Sequence, residues 1–224
     1  MKNINIAIDG PAGAGKSTIA KLAAARLGFI YVDTGAMYRA MALSCIRNNV
    51  SADEEEKVIK ICEEAEVTIE YKNKEQCVLL NRENVNAYIR TEQVSRMTSS
   101  ISTYSEVREK LLKLQRNIAE NNNVIMDGRD IGSNVLPNAD IKIYLTASVE
   151  TRAKRRYLEQ KEKGLDVDIN EIEKDIEERD YRDMHRECAP LVIADGAIVI
   201  DSSDMTIEEV VNEIINLKLK LEKG

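Results

Sequence analysis

The sequence predicts an α/β fold: a doubly wound, five-stranded parallel sheet with an inserted small antiparallel β element and a helical lid. Three observations lead there. Short apolar runs at 4–8, 29–32, 124–127, 141–145 and 197–201 are separated by helical stretches, and strands alternating with helices build parallel sheets. The first run is followed at once by a glycine-rich loop and a strong helix former. Between 67 and 89 the texture changes to β formers around a polar turn at 72–76, which reads as an antiparallel insertion.

Taken in order, the strand at 4–8 leads into Gly10-Pro11-Ala12-Gly13-Ala14-Gly15-Lys16-Ser17-Thr18, and the helix after it stops at Gly28. The strand at 29–32 ends at Asp33, and a helix from Thr34 to about Asn48 carries Met37, Met41, Leu43 and Ile46 as an apolar stripe. Acidic residues 53–56 open the next helix, which runs through Ala65. The insertion follows, with a third strand expected near 83–87. Helices are expected at 91–102 and from Ser105 to the asparagines at 121–123, the second with Leu111, Leu112, Leu114 and Ile118 on its buried side. Charge-dense helices at 149–164 and 170–184 lie between the last two strands of the sheet. A capping-box pattern at Thr206-Ile207-Glu208-Glu209 opens the final helix. The expected division is one domain: a core at about 1–35, 105–150 and 187–224, an acceptor-binding region with the β insertion at about 36–104, and a lid at about 151–186.

Bulk properties narrow the function. The 224 residues are 43% hydrophobic and 32% charged, with a net charge of −7, the profile of a soluble globular chain rather than a nucleic-acid binder. No membrane span is evident, and with the first strand starting so near Met1 no targeting segment is expected. The four cysteines show neither C-x-x-C pairs nor metal-ligand spacing, so free thiols in a reducing cytoplasm are expected. One histidine, His185, leaves almost nothing for a histidine-based triad or zinc site. No heptad or large apolar stripe appears, and a monomer is expected.

The stretch from Gly10 to Thr18 matches G-x-x-x-x-G-K-[ST]. Between a strand and a helix, such a loop turns backbone N–H groups onto a phosphate chain, giving a fold of the P-loop NTPase type. Lys16 then sits near the β- and γ-phosphates of ATP, and the Ser17 hydroxyl is a Mg²⁺ ligand. Asp127, closing a strand in the same crevice, suits an outer-sphere role, holding water on the ion. Asp33 has two readings, lining the crevice or capping the next helix. Arg39 and Arg129 follow strand ends, and Arg152, Arg155 and Arg156 recur at i, i+3, i+4. Phosphoryl transfer spreads charge over the equatorial oxygens, so cations carry much of the catalysis. An arginine-bearing helix pair could close over the phosphates and exclude water. Most charged residues between 152 and 186 are expected to face solvent, because 10 Lys and Arg meet 11 Asp and Glu there. His185 is expected to be solvent-facing or ion-paired.

Together these residues resemble the cytidylate kinases, a family of nucleoside monophosphate kinases. The resemblance rests on IAIDGPAGAGKST at 6–18, VDTGAMYR at 32–39, IRTEQVS at 89–95, VREKLLKLQR at 107–116, MDGRDIG at 126–132, RAKRR at 152–156, ERDYRD at 178–183 and RECAPL at 186–191. It implies that Gly10 through Thr18 hold ATP, and that Thr34, Tyr38, Arg39 and Arg129 contact the acceptor nucleotide. It also implies that Ser99, Arg108 and Asp130 read the cytosine edge, and that Arg179, Asp183 and Arg186 bind the sugar and the transferred phosphate. Met184 and His185 match no motif position. The implied reaction is Mg²⁺-dependent phosphorylation of CMP and dCMP by ATP, with Lys16, Arg129, Arg152, Arg155 and Arg156 as electrostatic catalysts and no nucleic-acid or membrane partner. A P-loop kinase acting on UMP or on a small hydroxyl acceptor stays open beside it. A GTPase-type switch lacks its guanine-reading N-K-x-D or T-K-x-D motif.

Overall fold

The computed structural model describes residues 3–72, 75–162 and 164–222. Its central sheet is five-stranded and wholly parallel: β1 (Asn5–Asp9), β2 (Ile30–Asp33), β6 (Val124–Asp127), β7 (Ile141–Thr146) and β8 (Ile198–Asp201), in the order β2-β6-β1-β7-β8. Every strand expected for this sheet is present, with ends shifted by a residue or two. Alternation along the strands divides the core. Ile6 and Ile8 of β1 and Ile125 of β6 pack with α1 (Lys16–Leu27) and α8 (Ile207–Leu221). Ala7, Val32, Val124 and Met126 face the other way, against α5 (Ser105–Asn121). Both faces are therefore covered, as a parallel sheet requires.

Between β2 and β6 the chain builds a second core on α2 (Thr34–Arg47), α3 (Glu55–Glu64), α4 (Glu92–Ile101) and part of α5, with Met37, Met41, Val58, Ile101 and Leu111 essentially inaccessible. Residues Leu43 and Ile46 belong to this core, Ile46 only partly buried. The insertion is a three-stranded antiparallel sheet, β3 (Val67–Lys72), β4 (Glu75–Leu80) and β5 (Glu83–Asn84). Within the expected polar turn, residues 73 and 74 lie outside the described residues. The third strand is shorter than the expected 83–87 because Val85 turns into the core and a side chain takes over the pairing. Asn86 accepts from Val78 N at 2.9 Å and donates to Gln76 O at 2.8 Å.

The charge-dense helices are α6 (Val149–Glu162) and α7 (Ile169–His185), which meet over a small core of Ala153, Ile172 and Ile176. Thr206 caps α8 in a full capping box. One element was not foreseen, a π-helical turn at Ile131–Val135 after β6. No helix among the described residues is long and apolar enough to cross a membrane.

Candidate active site

The glycine loop joins β1 to α1. A Cβ at Gly10 would lie 1.9 Å from Leu145 O, so the loop can lie against β7 only with glycine there. Gly15 sits at φ 84° as the residue before α1, a conformation that costs other residues strain. Pro11, Ala12 and Ala14 are buried, whereas Gly13, Ser17 and Thr18 are exposed. Lys16, only 6% exposed, donates from Nζ to Pro11 O at 2.6 Å. Burial and the nearby Arg129 pull its pKa well below the usual lysine value, against Asp127, Asp183 and Asp9.

Three carboxylates, Asp9, Asp33 and Asp127, end the adjoining strands β1, β2 and β6, with Asp33 directly opposite Asp127. Asp127 accepts a hydrogen bond from Ser17 Oγ at 2.8 Å through Oδ2, while its Oδ1 is buried without a hydrogen-bond partner among the described residues. Burial and the neighbouring Asp33 push its pKa up to about 6, opposed by Lys16 and the Ser17 hydroxyl. A buried carboxylate oxygen left over beside a hydroxyl is the donor chemistry of a hard divalent cation, directly or through water. These residues fit Mg²⁺.

The question over Asp33 resolves into both readings. Its Oδ1 accepts from Ala36 N at 2.9 Å, capping α2, and the same carboxylate lies 2.7 Å from Arg90 Nη2 and 3.7 Å from Arg39 Nη1. Thr34 Oγ1 donates to Asp127 O at 2.7 Å, locking the start of α2 to the end of β6. Farther along, Arg108 and Arg186 converge on Asp130. Arg108 bonds Asp130 Oδ2, Arg186 Nη2 is 3.3 Å from Oδ1, and Asn134 Nδ2 donates to Oδ2 at 3.0 Å. The Arg108 guanidinium lies 5.6 Å from the centre of the Tyr38 ring and donates to Ser102 O at 3.2 Å. Ser99 stands one helical turn earlier on α4, half-buried, its carbonyl accepting from Ser102 Oγ.

From α7, Asp183 accepts from Arg129 Nε at 2.8 Å. Arg179 has its Nε buried without a partner among the described residues, and burial together with Arg129 lowers its pKa to about 10 despite Asp183. Arg39 is drawn down likewise, by burial, Arg90 and Arg129 against Asp33. Arg129 disfavours the charge of both Arg39 and Arg179, whereas its own pKa is raised, Asp183, Asp127 and Asp180 outweighing its burial.

Arg152, Arg155 and Arg156 do not converge on one point. Arg152 is buried, donating to Ala12 O at 3.0 Å and Ala147 O at 2.9 Å and pairing with Asp180 at 2.7 Å. Arg155 reaches Ser202 O at 2.7 Å, while Arg156, half-buried, is felt by Arg179. The exposed His185 stacks on Tyr181 with ring centroids 4.0 Å apart.

Two acids escaped the sequence reading. Asp9 accepts from Ile131 N and Gly132 N, both at 2.7 Å, and so ties the start of the glycine loop to the turn carrying Arg129 and Asp130. Burial pushes its pKa up to about 6, against those two N–H groups. Its position at the end of a buried strand, just before Gly10, was the available signal. Asp180, the partner of Arg152, carried none that sets it apart from the other acids of α7.

The family model for cytidylate kinase matches residues 6–220. A cytidylate kinase of Caldicellulosiruptor bescii is 52% identical over 224 residues, covering 100% of this chain and 99% of its own length. One from Ligilactobacillus salivarius is 48% identical over 97% of each chain. Among solved structures, a gluconokinase from Sinorhizobium meliloti aligns with 100% of this chain and 96% of its own, at 13% identity and a TM-score of 0.49.

Proposed function

The chain belongs to the cytidylate kinase family, and from that premise we propose that it transfers the γ-phosphoryl group of ATP to CMP and dCMP, yielding CDP, dCDP and ADP. A phosphate oxygen of the acceptor attacks in line, the bond to the β-phosphate oxygen of ATP breaks, and ADP leaves. The glycine loop and Lys16 hold the donor phosphates. Arg39 and Arg129, joined by Arg179, grip the acceptor phosphate and the group in transit, while Arg108 and Asp130 offer a donor and an acceptor to the cytosine edge. Ser17 and Asp127 would hold Mg²⁺, which when bound neutralises phosphate charge. The lid is α6 and α7, whose small core of their own suits movement as a unit. Closed, they exclude water from the transfer. Thr34 and Tyr38 border the acceptor. Arg152 shapes the glycine loop from behind, and Arg155 and Arg156 add positive charge. The enzyme acts as a monomer in the cytoplasm, in keeping with its free cysteines.

One observation carries the assignment of the transfer point: beside Arg129, Arg39 Nη1 and Arg179 Nε are buried with no hydrogen-bond acceptor among the described residues. Buried cations in that state call for an anion. Initial rates with ATP and each of CMP, dCMP, UMP, AMP and GMP test the reading, with CMP and dCMP expected to lead. Failure to form CDP from CMP with ATP and Mg²⁺ would overturn it.

A further inference from the structure

We infer that Gln76, in the antiparallel insertion, is a positioning residue for the acceptor side of the site, an inference that rests on the reaction proposed above. β2 is the outermost strand of the parallel sheet, and the insertion forms a separate sheet that does not continue it. The backbone of Asp33, at the end of β2, is nonetheless paired. Gln76 Oε1 accepts from Asp33 N at 2.8 Å, and Gln76 Nε2 donates to Asp33 O at 3.2 Å. A primary amide presents the same donor and acceptor as a peptide group, so this one side chain stands in for the neighbouring strand that β2 lacks.

The clip is held from behind. Gln76 O accepts from Asn86 Nδ2 at 2.8 Å, and Gln76 faces Tyr71 across the hairpin, whose hydroxyl donates to Tyr31 O at 3.2 Å. What hangs on the clip is the entry into α2. Asp33 caps that helix, touches Arg39 and Arg90, and is followed directly by Thr34. A shift of Asp33 therefore displaces the groups expected to hold the acceptor phosphate, while the glycine loop is anchored separately. Between the clip and α1 lies a cavity of about 300 Å³ whose lining includes Ser17, Lys21, Tyr31 and Arg90, so on that side it is the amide that reaches the Asp33 backbone. The neighbouring contact makes a control. Lys21 and Glu75 pair at 2.7 Å with side chains 56% and 67% exposed, docking the insertion on α1 without touching Asp33, and exposed pairs contribute little.

The test compares Gln76→Ala, Gln76→Glu and Glu75→Ala in the full chain by steady-state kinetics and by hydrogen exchange of residues 33–36. Gln76→Ala is expected to lower kcat/KM for CMP about tenfold, since small misplacements of positioning groups are costly. Its KM for ATP should stay within about twofold, and its amides at 33–36 should exchange at least about tenfold faster. Gln76→Glu keeps an acceptor for Asp33 N–H but turns a carboxylate oxygen on Asp33 O, and should be at least as impaired. Glu75→Ala should change neither readout. Unchanged exchange at 33–36 in Gln76→Ala overturns the inference, as does a rise in KM for ATP that matches the loss in kcat/KM for CMP. A wild-type chain that makes no CDP defeats the proposed reaction instead, and the exchange rates still judge the clip.

Discussion

Two groups of arginines share this cleft, and they differ in how their charge is met. Arg108 and Arg186 close on one carboxylate, Asp130, with Asn134 completing its hydrogen bonds. Arg39, Arg129 and Arg179 stand near one another, Arg129 bound to Asp183 and Arg39 3.7 Å from Asp33, with Arg39 Nη1 and Arg179 Nε hydrogen-bonded to nothing among the described residues. Arg108 Nε is also buried without a partner among the described residues, but a cluster closed on one shared carboxylate is rigid and can present fixed donors and acceptors to a neutral ring. Two guanidinium groups with buried N–H donors lacking acceptors are costly until an anion arrives, and that cost is returned as binding when charge develops there. The first group therefore suits reading a base, and the second suits receiving a phosphoryl group.

The largest effect should come from taking away the cation of the glycine loop, which feels Arg129 of the second group. Lys16→Met is expected to lower kcat about 10³-fold or more, in the range known for single cations in phosphoryl transfer. Its melting temperature should hold or rise, because burial and Arg129 already disfavour the lysine charge. Near-normal turnover in a coupled ADP assay would remove the central role given to Lys16.

Breaking the first group should cost selectivity rather than chemistry. In Arg108→Ala, Asp130 keeps Arg186 and Asn134, so the fold persists. The preference for CMP over UMP should fall by at least about tenfold while KM for ATP is little changed, because the variant lacks a polar group that the wrong base would leave unpaired. An unaltered CMP-to-UMP ratio of kcat/KM would show that the base is read elsewhere.

The smallest effect concerns pH and the carboxylate beside the second group. Asp127 has its pKa raised to about 6 by burial and Asp33. A raised carboxyl favours the fold while protonated, so its contribution is lost as pH climbs from the unfolded value through about 6. A bound cation relieves the charge above that range but must displace a proton below it. The rise in melting temperature on adding Mg²⁺ should therefore be larger at about pH 8 than at about pH 5. Asp127→Asn should abolish the difference, whereas Asp9, already engaged by Ile131 N and Gly132 N, should not reproduce it. Equal Mg²⁺ responses at both pH values in the wild type would remove Asp127 from the cation site.

Legibility in the sequence followed chain distance. The strand, glycine loop and helix around Lys16 are neighbours along the chain, and all three were readable. So was the cap at Thr206, satisfied by a residue within a turn. The π-helical turn at Ile131–Val135 was not, since it depends on the carboxylate of Asp9, 122 residues away. The i, i+3, i+4 spacing of Arg152, Arg155 and Arg156 suggested a common target, yet Arg152 turns to Ala12 and Asp180 and Arg155 to Ser202. Helical spacing sets which side chains leave one face, but long arginines go where acceptors lie.

From the sequence alone came the alternation of strands and helices, the phosphate loop and the arginine-rich character of the cleft, because periodicity, glycine and charge act locally. Tertiary structure alone decided which arginines share a carboxylate and which keep buried N–H groups without an acceptor among the described residues, and that Gln76 completes the edge of β2. Both depend on where carboxylates and backbone groups from distant segments arrive, and burial makes each such pairing, or its lack, count.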